Sequence, residues 1–482
     1  MIENVIDRVS MMIRNLLFVL FLFLAGSCSG NSFDIPAPQP GDSEEPETPG
    51  QPETPGDPGE SEQPTEPSVP VIRVSSAAEV SALGEVAAGT EVVWAKGVYP
   101  DAVVTIRCAG TAENPVVFRA EEAGEVRFTG ASRLVVKGTG AVVSGFWWQD
   151  PTAVKGKAII TLDRGSEGCK VEQCAITGDK TAQAGDIDAK WVSLFGRNHL
   201  VSECTFRDKR NMGTLLVVWL ESDIVPRHKI VANRFERPVT LLDDEGKARN
   251  GQETIRIGDS STSMQDAECT VEGNYFYHCH GEQAEIISNK SCANLYRRNL
   301  FEESKGSLTL RHGNRCWVTG NYFLGNGMEG TGGVRIIGED HTVENNYMER
   351  LRGTGYKTAL CLVRGQKNPV LSGYWQVRRA VVRRNVAVDC RYAFQVNYGS
   401  SSSQSEPVVE TTIENNIVSL SSSSDYAVNC ATNPVPDIEW RDNTFYGGRQ
   451  SGVELPTVSV APALPDVKTA AENIRRGAGV KW

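Results

Sequence analysis

The phrases CTVEGNYF (residues 269–276), NLYRRNLF (294–301) and CWVTGNYF (316–323) share one pattern of eight residues. Each phrase alternates apolar and polar positions and is rich in aromatic and aliphatic residues, which is typical of a short β-strand followed by a turn. The sixth position is Asn in all three. The phrase recurs from residue 169 onwards, with its sixth residue at Cys174, Cys204, Asn233, Asn274, Asn299, Asn321, Asn346, Asn385, Asn416 and Asn443.

The spacing of these phrases predicts a solenoid. Successive sixth residues lie 30, 29, 41, 25, 22, 25, 39, 31 and 27 residues apart. A minimum near 22 residues with variable additions indicates coils that share a core and differ in their loops. We therefore predict an all-β fold, a right-handed, single-stranded parallel β-helix. The competing β-propeller needs antiparallel blades of about 40 residues, and the shortest repeat is too short for one.

Other features of the sequence fit this fold. Asparagines at the sixth position tolerate left-handed backbone geometry and can hydrogen-bond along a stack. Upstream, SSAAEVSALGEVAAG (residues 75–89) predicts an amphipathic helix that caps the open end of the solenoid. The first position of the phrase carries residues that we expect to be stacked structural groups, namely Cys169, His199, His228, Cys269, Cys316 and His341.

The cysteine content gives little evidence for disulfides or metal binding. Of 12 cysteines, Cys28 belongs to the N-terminal segment, which leaves eleven, an odd number. CxxC pairs of the metal-binding kind are absent, and several cysteines recur at one repeat position. We therefore expect buried free thiols.

The N-terminus has the features of an export signal. Arg14 precedes the apolar run LLFVLFLFLAGSC, which is too short for a transmembrane helix. LAGSC resembles the lipobox of bacterial lipoproteins, so residues 1–28 are predicted to be a signal peptide with Cys28 as the lipidated residue. The alternative is an ordinary secretory cleavage site, which also exports the protein. We expect a membrane-anchored lipoprotein, in the periplasm or at the outer-membrane surface.

The charge of the chain is concentrated in a linker. Residues 29–70 are rich in Pro, Glu, Gly, Ser and Thr and are predicted to be a disordered tether, with residues 71–482 forming the β-helix domain. Residues 31–70 carry ten acids and no base, and residues 1–30 carry two of each. Of the net charge of −11, only −1 therefore remains for residues 71–482. Such a domain is compatible with a polyanionic ligand but has no nucleic-acid footprint.

Two cations occupy nearly the same place on neighbouring coils. Lys290 lies nine residues before the sixth-position asparagine of its repeat, and Arg311 lies ten before that of the next. Adjacent strands are about 4.8 Å apart, so the two cations repel each other, which makes Lys290 a candidate base near neutral pH. Glu285, His312 and Arg335 complete a cationic strip with an acid and an imidazole. The alternative is that these charges simply cover the solvated outer face.

Three segments carry a family resemblance. GQETIRIGDS (251–260), AEIISNKSCANLYRRNLF (284–301) and LTLRHGNRCWVTGNYFLGN (308–326) resemble motifs of polysaccharide lyase family 6, which includes alginate lyases and chondroitinase B. The resemblance extends from about residue 75 to about residue 450. Its most specific element is the pair SNKS and LRHG.

The resemblance implies β-elimination on a uronate polysaccharide. It assigns Lys290 as the base that removes the C5 proton and Arg311 as the acid near the bridging O4, directly or through a water. His312 would orient Arg311 or share the proton delivery. Arg335 and Gln283 are the expected substrate-binding residues. A C5 proton is acidic only when the adjacent carboxylate is neutralised, and cations on a concave strip can do this.

The resemblance leaves calcium open. Many family members neutralise the carboxylate with Ca²⁺ held by an Asn or Asp and two glutamates. Asn250 matches the first ligand and Glu285 the last, but the middle ligand falls on Gln283 unless Glu282 shifts into its place. A neutral amide weakens a hard-cation site. Without the metal, Gln283 and waters would bridge the substrate carboxylate.

The sequence therefore predicts an exported alginate lyase that cuts mannuronate-containing stretches and binds an anionic uronate polysaccharide. Dermatan sulfate is the rival substrate within the family. A non-catalytic, surface glycan-binding β-helix is the alternative of a different class. A pectin-active hydrolase would need clustered aspartates where this chain has lysine and arginine.

Overall fold

The computed structural model describes residues 69–178, 185–400 and 402–482. The chain divides into two units, Met1–Glu66 and Pro67–Trp482, and all the described residues belong to the second. The predicted signal peptide, the lipidation site Cys28 and nearly all of the predicted tether lie outside the described residues. Among the described residues, no helix has both the length and the apolar character needed to cross a membrane.

Short β-strands and two helices build the domain. The helices are α1 (Ala77–Ala82) and α2 (Lys468–Gly477), and a 3₁₀ turn spans Gly355–Lys357. In chain order, strands β1–β14 are Val71–Val74, Glu85–Ala87, Glu91–Trp94, Gly97–Pro100, Val103–Ala109, Val116–Ala120, Val126–Gly130, Arg133–Thr139, Ala141–Ser144, Phe146–Pro151, Ala158–Leu162, Lys170–Glu172, Ala175–Thr177 and Lys190–Leu194. Strands β15–β28 are Leu200–Ser202, Thr205–Arg207, Leu216–Val218, Lys229–Val231, Arg234–Glu236, Ile255–Gly258, Thr270–Glu272, Tyr275–Tyr277, Glu285–Lys290, Leu295–Arg297, Leu300–Glu302, Gly306–His312, Trp317–Thr319 and Tyr322–Leu324. Strands β29–β41 are Thr331–Ile336, Thr342–Glu344, Tyr347–Glu349, Leu360–Val363, Val381–Arg383, Val386–Val388, Tyr392–Tyr398, Thr411–Glu414, Ile417–Ser419, Tyr426–Cys430, Ile438–Arg441, Thr444–Tyr446 and Arg449–Ser451.

The strands form three long parallel sheets of 14, 13 and 14 strands. The first sheet has the order β1-β3-β6-β9-β12-β15-β18-β21-β24-β27-β30-β33-β36-β39. The second has the order β4-β7-β10-β13-β16-β19-β22-β25-β28-β31-β34-β37-β40, and the third β2-β5-β8-β11-β14-β17-β20-β23-β26-β29-β32-β35-β38-β41. Each coil contributes one strand to each sheet, so the predicted right-handed parallel β-helix is confirmed.

The core is a set of rows in which equivalent side chains of successive coils stack. In the second sheet, five phenylalanines form such a row, with ring centroids 4.6 to 5.3 Å apart. These rings are buried, and a buried apolar side chain of this size contributes about 1.5–3 kcal/mol. The phrase ends in an aromatic residue because that position points into the solenoid. The five residues are Phe206, Phe235, Phe276, Phe301 and Phe323.

The sixth-position asparagines form a hydrogen-bonded ladder. From Asn233 to Asn443 each side-chain amide donates to the next asparagine's Oδ1, at 2.9 or 3.0 Å. The prediction of hydrogen bonds along the stack is confirmed. The left-handed backbone, however, belongs to the residue before each of them, such as Arg298 (φ 53°) and Asn415 (φ 54°). The asparagine itself stays in a conformation that turns its amide into the core.

The first position of the phrase is also a stack, as predicted. His199 and His228 are buried, and their rings stack at 4.8 Å. The Nδ1 atoms of His199 and His228 accept from the backbone N–H groups of Cys169 and His199, both at 3.1 Å. All eleven described cysteines are free and buried, which confirms that expectation. Burial raises the pKa of Cys174 to about 12, so this thiol is inert at neutral pH.

The N-terminal cap is shorter than the sequence predicts. Helix α1 ends at Ala82, and Gly84 (φ 65°) turns the chain into β2, the first strand of the third sheet. Ser76 caps the helix by accepting a hydrogen bond from the N–H of Glu79 at 3.2 Å. Val80 is buried against the first coils. The second half of the predicted helix became a strand because pairing with β5 satisfies its backbone groups.

Candidate active site

The predicted site residues collect on the outward face of the third sheet. Strands β23, β26 and β29, from three consecutive coils, supply five of them, namely Glu285, Lys290, Arg311, His312 and Arg335. Along each strand, alternate residues such as Ile287, Leu308 and Val334 are fully buried in the core. The residues between them point outward, and this alternation places the charged side chains on one face.

Lys290 lies at the end of β23, beside a buried acid. Its Nζ is 3.9 Å from Oε1 of Glu253, and its side chain is 18% exposed. Glu253 is only 2% exposed and accepts a hydrogen bond from the Thr214 hydroxyl at 2.9 Å. The Lys290 side chain therefore stays partly accessible to solvent, while Glu253 fixes its position from one side.

Arg311 lies on the next coil, in a small irregularity of the strand pairing. Asn289 pairs with Leu310 and Lys290 pairs with His312, so Arg311, which lies between Leu310 and His312, has no paired residue on β23. The guanidinium donates to the backbone carbonyls of Ser372 and Gly373 at 3.3 and 3.1 Å. Burial lowers the pKa of Arg311 from its usual value. The prediction that Lys290 and Arg311 occupy adjacent coils is confirmed.

His312 is buried behind Arg311. Its Nδ1 lies 3.3 Å from Nη1 of Arg311, and its Nε2 lies 3.5 Å from the Ser260 hydroxyl. Burial, and then the charges of Arg311 and Lys290, lower the pKa of His312 to about 3. A neutral imidazole whose Nδ1 accepts from the guanidinium can orient Arg311. With this pKa the ring is not an imidazolium at neutral pH and so cannot act as the acid, and the geometry favours the first of its two predicted roles.

Arg335 extends the strip to a third coil. Its Nη1 lies 3.7 Å from Glu285 Oε1, and both side chains are more than nine-tenths buried. Its Nη2 donates to the Tyr374 hydroxyl at 3.2 Å. Its guanidinium lies 4.4 Å from the ring centroid of Tyr356, and that of Arg311 lies 4.2 Å from the ring of Tyr374. Two tyrosines therefore hold two arginines at the site.

Three residues named in the sequence analysis remain to be placed, namely Glu282, Gln283 and Asn250. The carboxylate of Glu282 accepts from the backbone N–H groups of Gly251 and Gln252, at 2.9 and 3.4 Å. Burial and the nearby charges of Glu253 and Glu285 raise the pKa of Glu282 to about 8.

Gln283 and Asn250 contribute less to this geometry. Gln283 donates from Nε2 to the Thr240 hydroxyl at 3.1 Å. Its amide oxygen takes no part in this hydrogen bond. Asn250 lies on an exposed stretch between β19 and β20. Among the described residues, it makes no hydrogen bond to Gln283 or Glu285.

The donor set of the site does not fit a calcium ion as it is arranged. Glu253 faces Lys290 and Glu285 faces Arg335 at ion-pair distances, so a metal would compete with two cationic side chains. Within residues 69–178, 185–400 and 402–482, no three His, Cys, Asp or Glu side chains are arranged to hold a metal ion. The assignment of Asn250 and Glu285 as metal ligands stays a prediction.

Sequence reasoning missed two contributors to the site. Glu253 takes the place on its coil that Glu285 takes on the next, because Ile255 pairs with Ile287. Aligning ETIRIG with EIISNK would have found it. Tyr374 lies in the long loop after β32, outside the repeated phrase. No periodic signal could have placed its ring on Arg311.

A family model shows which family the chain belongs to. The model described as chondroitinase B matches residues 74–420, which is most of the chain. The chain belongs to polysaccharide lyase family 6. This family consists of carbon–oxygen lyases that act on polysaccharides. The match includes β20, β23, β26 and β29, the strands that carry the site.

Solved structures agree with this membership. The family 6 alginate lyase AlyGC is 30% identical, with a TM-score of 0.73, over 85% of this chain and 56% of that chain. This chain therefore spans little more than half of AlyGC. A family 6 lyase from human gut microbiota, described as mannuronic acid specific, is 26% identical with a TM-score of 0.69, over 86% of this chain and 96% of that chain.

A further structure supports the fold alone. The family 6 polysaccharide lyase Pedsa3628 from Pseudopedobacter saltans is 24% identical, with a TM-score of 0.68, over 85% of this chain and 99% of that chain. No curated protein matches the chain significantly.

Proposed function

We propose that the chain is an alginate lyase that cleaves mannuronate-containing stretches by β-elimination, with Lys290 as base and Arg311 as acid. The observation that carries the proposal is the supply of Lys290, Arg311 and Arg335 to one face by three consecutive coils, with Arg335 level with Thr309, two residues before Arg311 on its strand. The similarity to a lyase described as mannuronic acid specific supports the choice of polymer.

The reaction begins with the amine of Lys290 in its neutral form. Its nitrogen takes the C5 proton, the C5–H electrons form the C4=C5 double bond, and the C4–O4 bond breaks. The departing O4 takes a proton from Arg311, directly or through a water. Burial lowers the pKa of Arg311, which makes its proton easier to release. Arg335 neutralises the carboxylate next to C5 and so stabilises the negative charge that develops there.

The supporting residues fix this geometry. His312 and the carbonyls of Ser372 and Gly373 hold Arg311, and Glu253 holds Lys290. In the proposal, Gln283 binds the substrate carboxylate through bridging waters. Preorganised donors of this kind cost no reorganisation during the reaction.

The test is elimination itself. The full chain is incubated with poly-mannuronate, poly-guluronate, pectin and dermatan sulfate while the ultraviolet absorbance of the conjugated double bond is followed. We expect the largest rise with poly-mannuronate, and loss of that rise in Lys290→Met. The control Lys229→Met lies on β18 of the first sheet and should retain it. No rise with any polymer would reject a lyase in favour of a glycan-binding protein, and a rise with dermatan sulfate alone would change the substrate.

Calcium provides a second test. Because Glu253 and Glu285 already face cationic side chains, we expect activity on poly-mannuronate to survive a calcium chelator. The measurement is the initial rate before and after chelation, with and without added Ca²⁺. Loss of activity restored by Ca²⁺ would show that the glutamates rearrange to bind the ion.

The proposed enzyme acts outside the cytoplasm as a lipoprotein anchored through Cys28. The apolar run before LAGSC and the acidic linker after it support this location. Fractionation should place the chain with membranes and Cys28→Ser in the soluble fraction. An equal distribution of the two would contradict the anchor.

A further inference from the structure

The outer face of the second sheet carries a cavity of about 570 Å³, on a different sheet from the candidate active site. Its floor includes a row of polar side chains from three consecutive coils, because strand pairing aligns Gln149 with Thr177 and Thr177 with Arg207. The residue before each of them is buried in the core, as Ile176 and Phe206 show, so the row faces outward. The row extends about 10 Å along the solenoid axis, which is enough for a disaccharide.

Trp147 lines this cavity, and its ring is fixed from two sides. The indole N–H donates to the hydroxyl of Thr177, on the next coil, at 2.7 Å. The guanidinium carbon of Arg127, on the preceding coil, lies 5.2 Å from the ring centroid. The side chain is only half-buried. A fixed indole that borders an open cavity offers an apolar face on which the C–H groups of a sugar ring can pack.

Arg210 brings a guanidinium to the same cavity. It is exposed, and across the described parts of the chain no carboxylate lies at ion-pair distance from it. The turn beneath it is firmly held, because the preceding Lys209 is fully buried and donates from Nζ to the carbonyls of Asn211 and Met212, at 2.9 and 3.1 Å. A guanidinium on a fixed turn loses less freedom on binding, and its donors match a carboxylate.

The two acids that line the cavity are engaged elsewhere. Oδ2 of Asp208 lies 3.4 Å from Nε of Arg207. Oδ1 of Asp150 is packed against Gly178, where a Cβ would stand only 2.2 Å from it. Gly178 has a φ of 74°, so this turn requires glycine. The charge that remains for a ligand is therefore that of Arg210.

We propose that this cavity is a second binding site for a uronate polysaccharide, with a sugar ring on Trp147 and a carboxylate on Arg210. The identity of the polymer rests on the proposed function. Because this cavity is on the second sheet and Lys290 is on the third, a long chain can occupy both sites, whereas a trisaccharide occupies one at a time. The second site holds the polymer at the enzyme and takes no part in elimination.

Binding of trimannuronate to the full chain carrying Lys290→Met tests the site directly. Calorimetry should give two sites per chain, and one after Arg210→Gln is added. Trp147→Leu should also remove one site, whereas Trp147→Phe should keep both. Arg227→Gln, in an exposed ion pair with Glu268, is the matched control and should keep both. Binding that Arg210→Gln leaves unchanged would overturn the proposal, and so would equal occupancy of this site by cellotriose, which has no carboxylate. Melting temperatures check that each variant is folded.

Kinetics tests what the second site does. On poly-mannuronate, Arg210→Gln should raise KM about three- to tenfold and leave kcat unchanged, as expected for a lost charged hydrogen bond at an exposed position. On trimannuronate, kcat/KM should not change, because the short substrate cannot reach from one sheet to the other. An equal loss on both substrates, or an unchanged KM on the polymer, would overturn this role.

The outcomes separate this inference from the lyase assignment. If Arg210→Gln removes a binding site while the unmodified chain eliminates nothing, the lyase proposal fails and the second site stands. If elimination proceeds and Arg210→Gln alters neither binding nor KM, the second site is wrong and the lyase proposal stands.

Discussion

Tyr374 connects the acid of the proposed reaction to the carboxylate-binding arginine. Its ring lies 4.2 Å from the guanidinium of Arg311, and its hydroxyl accepts from Arg335 at 3.2 Å. Partly desolvated cation–π contacts contribute about 1–2 kcal/mol each. The side chain touches neither Lys290 nor Glu253, so it acts through the two arginines.

We expect Tyr374→Leu to lower kcat/KM on poly-mannuronate about tenfold to a hundredfold, because the ring contacts with both arginines are lost. Tyr374→Phe keeps the ring and loses only the hydroxyl, so it should cost about three- to tenfold, mainly in KM. Steady-state kinetics on purified variants measures both. Tyr446→Leu, on β40 of the second sheet, serves as the control. Equal losses in the Phe and Leu variants would show that the ring does not hold Arg311.

The sequence predicted the positions of those site residues that lie within the repeat. The 22-residue spacing of Asn299 and Asn321 was enough to place Lys290 and Arg311 on neighbouring coils. Tyr374 could not be found in this way, because a loop has no period and its path is set by contacts with distant coils. The hydrogen bond from the Ser263 hydroxyl to the Leu371 carbonyl, at 3.3 Å, is one such contact.

Among the elements, the turn before β15 and β18 contains a pH-sensitive stack. Burial lowers the pKa of His199 to about 4 and that of His228 well below its usual value. Both rings are neutral in the fold, whereas in the unfolded chain they take up protons below about pH 6.5. Their contribution to stability is therefore present above pH 6.5 and is lost progressively as the pH falls towards 4.

We expect His199→Asn to remove part of the stability loss that the chain suffers as the pH falls. Asn294 occupies the same repeat position and accepts from the Cys269 N–H at 2.9 Å, so asparagine can make the bond without titrating. Between pH 7 and pH 5, the variant should lose about 2 kcal/mol less unfolding free energy than the unmodified chain. Denaturant unfolding at the two pH values tests this. Parallel pH profiles would mean that His199 is not neutral in the fold.

The sequence predicted the elements of the coils better than those at the ends. Inside the solenoid, every phrase has a neighbour on both sides, so the alternation of residues and the Asn ladder agree with the local structure. At the N-terminus, the helix pattern after Ala82 was overridden because β2 pairs with β5. Propensity is a weak guide where a sheet edge offers backbone partners.

In the whole molecule, the candidate active site and the contacts of the C-terminal segment lie on different sheets. The site lies on the third sheet, whereas the C-terminal segment packs along the outside of the second. Helix α2 is anchored by Arg475, whose Nη2 lies 2.8 Å from Glu302 Oε1, and by Ala471 in a small apolar cluster. Beyond the helix, the chain runs back over earlier coils and bonds to Ala232, Thr205 and Gln173.

This tail links coils that are distant in sequence. The N–H of Gly479 donates to the Ala232 carbonyl at 2.9 Å, and the indole N–H of Trp482 donates to the Gln173 carbonyl at 3.0 Å. The Trp482 ring also lies 6.1 Å from that of Trp147. Because each coil otherwise contacts only its neighbours, a segment that crosses several coils should make their unfolding more cooperative.

Deleting residues 466–482 should therefore lower the melting temperature by about 2–5 °C and broaden the transition, because an ion pair and several buried contacts are lost at once. The initial rate on poly-mannuronate at low temperature should be unchanged, since the segment lies on the second sheet and the site on the third. Calorimetry and the elimination assay on the same preparation test the two parts, with Lys468→Ala at the exposed start of α2 as the control. An unaltered transition would show that the coils do not need the tail. A lost initial rate in a chain that remains folded would show that the two sheets are coupled.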